Sequence, residues 1–230
     1  MNVMEFTLET LKGSFPLTME YDRVFAIGYA GRNMKKTMEH IKELEEQLGV
    51  PAPKRIPTIF QCGNYTLTQE QNLHFVGKKT CGEVEYIILL TGGKTYIGIG
   101  SDHTDREMES ISVPKSKQAC AKPIGKVIWD YDELKDHWES ILLVSTQLVD
   151  GQVIPYQQGT LKDILPVETI LAELNERVGG MEKSIIYSGT VPLVEGFRYG
   201  EEFRCEMIDE KLGRKLSLAY GVVAISEEER

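Results

Sequence analysis

A Gly92-Gly93 pair separates two runs rich in valine, isoleucine and tyrosine, Glu83 to Leu90 and Lys94 to Gly100, and constrains the chain more than any other feature. Two glycines accept the positive φ that a tight two-residue turn asks of both central positions, so the segment reads as a β-hairpin. With the turn centred between them, antiparallel partners share a constant index sum, which sets Glu85 opposite Gly100 and Glu83 opposite Asp102. Side chains alternate along a strand, so Glu83 and Glu85 share a face. Three carboxylates therefore converge at the open end of the hairpin. Like charges opposite one another destabilise a sheet, and no arginine stands in the register, so the cluster calls for a cation. Oxygen-only ligation favours Mg2+ or Mn2+, with Ca2+ also admissible, over zinc. A hairpin whose carboxylates are merely solvated has the same spacing, and a one-residue slip would scatter the cluster. Gly98 and Gly100, across from Ile87 and Glu85, are expected to leave open space on that face.

The 230 residues are enough for one well-buried domain, read here as 1–230 with strands and a helix of 1–50 packed on the core. A formal charge of -9 and a pI near 5.1 argue against nonspecific partners such as nucleic acid or anionic membranes. No apolar run approaches the roughly twenty residues that span a bilayer, and the start carries no signal pattern, so the expected location is cytoplasmic. Cys62, Cys81, Cys120 and Cys205 form no C-x-x-C pair and read as reduced structural thiols.

Strands are expected at Glu5 to Leu11, Phe15 to Met19 and Arg23 to Tyr29, before the loop Gly28-Tyr29-Ala30-Gly31-Arg32-Asn33. Met34, Met38, Ile41, Leu44 and Leu48 recur at helical spacing, and Gly49 stops the helix. Further strands are expected at Thr58 to Cys62, at Ile141 to Val149 and Gln152 to Tyr156 around an Asp150-Gly151 turn, and at Ser184 to Tyr187, Glu202 to Ile208 and Lys215 to Val222. Asp130 begins a short helical pattern, and Thr160 to Val178 is helical with a break at Pro166. The stretch from Glu107 to Pro123 is too polar and proline-bounded for a strand or a long helix. This order fits an α+β, β-rich mixed-sheet architecture better than a βα alternation.

Several of these pieces resemble the fumarylacetoacetate hydrolase superfamily, in a short prokaryotic branch of its C-terminal-domain type. Glu83-Val84-Glu85 looks like the family's Glu-x-Glu metal motif, and Ser101-Asp102-His103-Thr104-Asp105-Arg106-Glu107 looks like its Asn-Asp-x-x-x-Arg-Asp. Lys115-Ser116-Lys117 is similar to its Lys-Ser segment, with either lysine in the family position. Ser188-Gly189-Thr190-Val191-Pro192 resembles its Gly-Thr-Pro loop. The resemblance implies a β-rich roll, a divalent metal on Glu83, Glu85 and Asp102, a small oxo acid or β-dicarbonyl substrate, and a homodimer. It also implies C–C hydrolysis, decarboxylation or tautomerisation through a stabilised enolate.

One departure bears on the reaction. Where many members have Asn-Tyr-x-x-His-x-x-Glu, this chain puts Arg32 at the histidine position and Lys35 at the glutamate position. Arginine stays charged and is no base. Arg32 reads either as a clamp on a substrate carboxylate or as a hydrogen bond at the helix start. Arg106, Lys115 or Lys117 are candidate donors to substrate oxygens, Gly189 and Thr190 can meet a carboxylate, and His103 is a candidate base or a structural histidine. The reading from another class is a non-catalytic protein that binds a carboxylate through the metal.

Overall fold

The computed structural model describes residues 2–48 and 51–228. In chain order the strands are β1 (Asn2–Thr10), β2 (Gly13–Tyr21), β3 (Arg23–Gly28), β4 (Thr58–Cys62), β5 (Leu67–Thr68), β6 (Asn72–Val76), β7 (Thr80–Cys81), β8 (Val84–Thr91), β9 (Lys94–Ser101), β10 (Thr104–Asp105), β11 (Lys122–Pro123), β12 (Val127–Asp130), β13 (Leu142–Val149), β14 (Gln152–Thr160), β15 (Ser184–Thr190), β16 (Glu202–Asp209) and β17 (Arg214–Ile225). The α-helices are α1 (Met34–Leu48), α2 (Arg106–Glu109), α3 (Val113–Ala119) and α4 (Val167–Arg177). The class is α+β and β-rich, as expected. No helix among the described residues is long and apolar enough to cross a membrane.

Two mixed sheets carry the fold. The larger runs β2-β1-β12-β9-β8-β15-β3-β4 and the smaller β14-β13-β16-β17-β6. Along β8 the side chains alternate between two cores: Val84, Tyr86, Ile88 and Leu90 join the layer between the sheets, while Ile87 and Leu89 enter a second cluster. Phe6, Met19, Val24, Ala26, Cys62 and Tyr187 of that second cluster come from the same large sheet, which therefore curls around its own apolar face. From the smaller sheet, Leu143, Phe203, Met207, Leu216 and Tyr220 close the first core, and α4 adds Val167, Ile170 and Leu174.

Gly92 and Gly93 have φ of 60° and 70°, and β8 pairs with β9 so that Glu85 faces Gly100. The expected register is the one observed. The expected open space beside the glycines is not: a Cβ on Gly100 would sit 2.7 Å from Ile87 Cδ1 and 2.9 Å from the Pro123 carbonyl oxygen. Ile87, across from Gly98 in the hairpin, fills that space, and the Pro123 carbonyl of β11 lies over it. Helix α1 spans the expected residues, yet its buried side includes Thr37 and Ile41, while Met34 and Met38 are half exposed. The Thr37 hydroxyl donates to the Gly31 and Asn33 carbonyls and turns the helix toward the preceding loop. The stop at Gly49 lies outside the described residues, as do the side chains of Leu44 and Leu48.

Overpacking and left-handed strain are separable at the two ends of this hairpin. Gly100→Ala is expected to destabilise by about 1–3 kcal/mol through the clash with Ile87. Gly93→Ala meets nothing within 4 Å and is expected to cost about 1–2 kcal/mol, from its positive φ alone. Urea denaturation of both variants checks this; an unaffected Gly100→Ala would mean that both Ile87 and the Pro123 carbonyl give way freely.

Candidate metal centre

Several strand ends meet at one edge of the large sheet. β9 ends at Ser101 opposite Val84, β15 ends at Thr190 opposite Glu85, and β3, parallel to β15, ends at Gly28. β15 shifts register between Tyr187 and Thr190, and within that bulge Gly189 has a φ of 96°. Its N–H thereby donates to Glu85 Oε2 at 2.9 Å, where a Cβ would stand 2.6 Å from Ala30 Cβ.

Glu83, Glu85 and Asp102 each offer an oxygen within 4.8 Å of the others. Their charges are not left bare, as the hairpin alone suggested. The buried ammonium of Lys117 pairs with Asp102 Oδ2, and that of Lys122 stands 3.0 Å from Oδ1. Arg106 NH2 stands 3.1 Å from Glu83 Oε1. The missing cations come from beyond the hairpin. Burial raises the Asp102 carboxyl, but the two ammonium groups outweigh it and hold the group well below the usual carboxylate range. Burial likewise works against the charge on Lys117, and Asp102 followed by Glu83 outweighs it, so the ammonium is held charged.

Glu85 differs from its neighbours. It is 2 % exposed, its hydrogen bond is to the Gly189 N–H, and no ion pair reaches it among the described residues. Burial, and then Asp102, push its carboxyl well up. A third, uncompensated buried carboxylate beside two others is what a hard divalent cation would satisfy, and the all-oxygen donor set fits one.

The cluster lies at a cavity of about 850 Å3, a size suited to a small ligand. Arg32, Glu83, Glu85, Arg106, Lys117, Gly189 and Thr190 line it. Of the two lysines weighed above, Lys117 is buried against Asp102 and Lys115 is exposed on α3. His103 does not line the cavity: it is fully buried, stacked on Phe75 at 4.0 Å, with Nδ1 2.9 Å from the Tyr220 hydroxyl. Burial and Lys122 hold it well below the usual histidine range. His103 and Asp102 both lie in the link between β9 and β10, where His103 packs against Phe75 and Tyr220 while Asp102 meets Lys117 and Lys122. Arg32 pairs with Glu139 and donates to the Ile164 carbonyl at 3.4 Å, so its guanidinium is partly engaged by the scaffold. The Thr190 hydroxyl donates to the Val84 carbonyl at 2.6 Å and accepts from Gln157 Nε2 at 2.7 Å.

Lys122, Glu109 and Gln157 escaped the sequence reading. Lys122 stands alone in Ala119-Cys120-Ala121-Lys122-Pro123, and a lone charge among small apolar residues is a sign of a buried, paired group. Glu109 follows Arg106 by three residues, the helical spacing that joins them. All four thiols are buried and free, and burial pushes Cys120 up to about 12, so it is not an activated nucleophile.

The family described as "Protein of unknown function (DUF2848)" matches residues 27–220. No curated protein matches the chain by sequence. Among solved structures, the apo form of 2-keto-3-deoxy-D-arabinonate dehydratase is similar with a TM-score of 0.65 and 20% identity, over 90% of this chain and 74% of that one. The dehydratase complexed with magnesium and 2,5-dioxopentanoate gives a TM-score of 0.62 at 19% identity, over 90% and 75%. Cg1458 with an inhibitor gives 0.67 at 16% identity, over 94% and 82%. At these identities the likeness is one of fold.

Asp102 holds two buried ammonium groups, so Asp102→Asn is expected to cost about 3–5 kcal/mol in urea denaturation as well as metal affinity. Glu85→Gln keeps the shape and removes an uncompensated charge. It is expected to leave stability within about 1 kcal/mol while weakening Mn2+ binding at least tenfold by calorimetry. Unchanged affinity in Glu85→Gln would remove Glu85 from the ligand set.

Proposed function

We propose, for a chain that belongs to the family described as protein of unknown function (DUF2848), that it is a metal-dependent enzyme acting on a small 2-oxo acid or β-dicarbonyl compound through an enolate-like intermediate. The observation that carries this reading is that Glu83 and Glu85 line the cavity with Lys117 and Arg106, while the buried Asp102 lies within 4.8 Å of both carboxylates and pairs with Lys117. The motif order supports membership of the fumarylacetoacetate hydrolase superfamily. So does the shared fold with a dehydratase solved with magnesium and 2,5-dioxopentanoate.

In this reading Mg2+ or Mn2+ is held by Glu83, Glu85 and Asp102, and when bound supplies Lewis-acid polarisation of a substrate carbonyl. Lys117, kept charged by Asp102, donates to a substrate oxygen and stabilises negative charge as it develops there. Arg32, which lines the cavity, attracts the substrate's carboxylate, while Arg106 holds Glu83 and the Gly189-Thr190 turn shapes the wall beside it. Enolate stabilisation serves C–C hydrolysis, decarboxylation and tautomerisation alike. A non-catalytic carboxylate-binding protein is the second reading. It is favoured by Arg32 and Lys35 at the His and Glu positions and by a cavity lining without histidine among the described residues. We also read the protein as a homodimer; light scattering is expected to give twice the 26.0 kDa of one chain.

The reading is tested by incubating chelator-treated protein with 2-oxo acids and acylpyruvates, with and without Mg2+ or Mn2+, and following all products by NMR. Metal-dependent turnover is expected. Metal-dependent binding of the same compounds without turnover would favour the binding protein instead.

A further inference from the structure

An enolate forms only when a proton leaves the carbon beside a carbonyl, so the enolate reading above, on which this inference rests, needs a proton acceptor in the cavity. Histidine does not supply it among the described cavity-lining residues. His103 is enclosed by Phe75 and Tyr220, and His137 is paired with Asp209 at 2.9 Å. Lys117 is committed to a buried ion pair with Asp102, and Arg32 and Arg106 are permanently charged. Glu83, Glu85 and Asp102 form the candidate ligand set. Among the described residues two lining carboxylates remain, Asp163 and Glu109.

Asp163 is exposed, and its Oδ2 accepts the Thr160 backbone N–H at 3.0 Å as part of a capping box. Glu109 is better placed. Its side chain is 24% exposed, and its Oε2 accepts from Arg106 NH1 at 2.9 Å. The same guanidinium has NH2 3.1 Å from Glu83 Oε1. One rigid, planar group thus spans both carboxylates and fixes Glu109 within a single guanidinium of the triad. Oε1 of Glu109 has no hydrogen bond among the described residues.

We propose that Glu109 is the proton acceptor of this cavity, oriented by Arg106. The C3–H bond of a 2-oxo acid breaks and its proton passes to Glu109 Oε1. The bonding pair forms the C2=C3 double bond as the carbonyl pair moves onto oxygen, beside the Lys117 ammonium. Return of the proton reverses the step. A carboxylate is a sufficient base because polarising the carbonyl acidifies the neighbouring C–H bond.

The test follows deuterium uptake at C3 of 2-oxobutanoate in D2O by NMR, with Mg2+-loaded protein. The unaltered protein is expected to exchange. Glu109→Gln is expected to slow exchange by about 10^2-fold or more, with Mg2+ affinity by calorimetry within threefold of the unaltered protein. Formate should partly restore exchange to Glu109→Ala, and Asp163→Asn should exchange normally. Exchange by Glu109→Gln within threefold of the unaltered protein would overturn the assignment. So would a parallel loss of Mg2+ affinity, which would make Glu109 a support for Arg106, or a loss of exchange confined to Asp163→Asn. No exchange by the unaltered protein would overturn the enolate reading itself.

Discussion

The buried carboxylate of Asp102, gripped by the ammonium groups of Lys117 and Lys122, is the interaction on which the cavity floor depends. Taking three charges out of water costs several kcal/mol each before they attract one another, so the arrangement stands only where hydrogen bonds complete it. Lys122 supplies one of these, donating to the His103 carbonyl at 2.6 Å, and the Thr104 hydroxyl donates to the Asp102 carbonyl at 3.1 Å. The segment from Arg106 to Pro123 is thereby tied to the end of the hairpin at two lysines. Helix α3 and strand β11 are short elements whose position follows from those ties.

The same charge pattern shapes the chemistry. Asp102 and Glu83 already face cations from the chain, whereas Glu85 faces a backbone N–H. The one buried carboxylate without a cationic partner among the described residues is Glu85, and oxygens of Glu83 and Asp102 lie within 4.8 Å of it, the kind of all-oxygen grouping a hard divalent cation takes. Arg106 extends this pattern outward. With Glu83 on one nitrogen and Glu109 on another, it links the candidate metal centre to the one lining carboxylate among the described residues that is both partly buried and outside the candidate ligand set.

Legibility in the sequence followed the range of the interaction. The hairpin register, the Asp150-Gly151 turn with φ of 49° and 77°, and the extent of α1 all rest on neighbours a few residues apart. Strand β6, with alternating burial at Asn72–Val76, carries a readable period, and β12, with Val127, Ile128 and Trp129, a readable apolar run. Pairing of β3 with β15 and of β17 with β6, both parallel, left no local mark, because partners so far apart in sequence share no periodicity.

The sequence by itself determined that Glu83, Glu85 and Asp102 meet, since a tight turn with two glycines fixes which residues face each other across a hairpin. Only the tertiary structure decided what surrounds them. Lys117 and Lys122 reach Asp102 from 15 and 20 positions along the chain, and Gly189 reaches Glu85 from 104 positions away. Those contacts depend on how the large sheet curls and where its strand ends converge. The physical reason is that a side chain's charge partner is chosen by burial and proximity in the folded molecule, which residue spacing does not encode beyond the reach of a single turn.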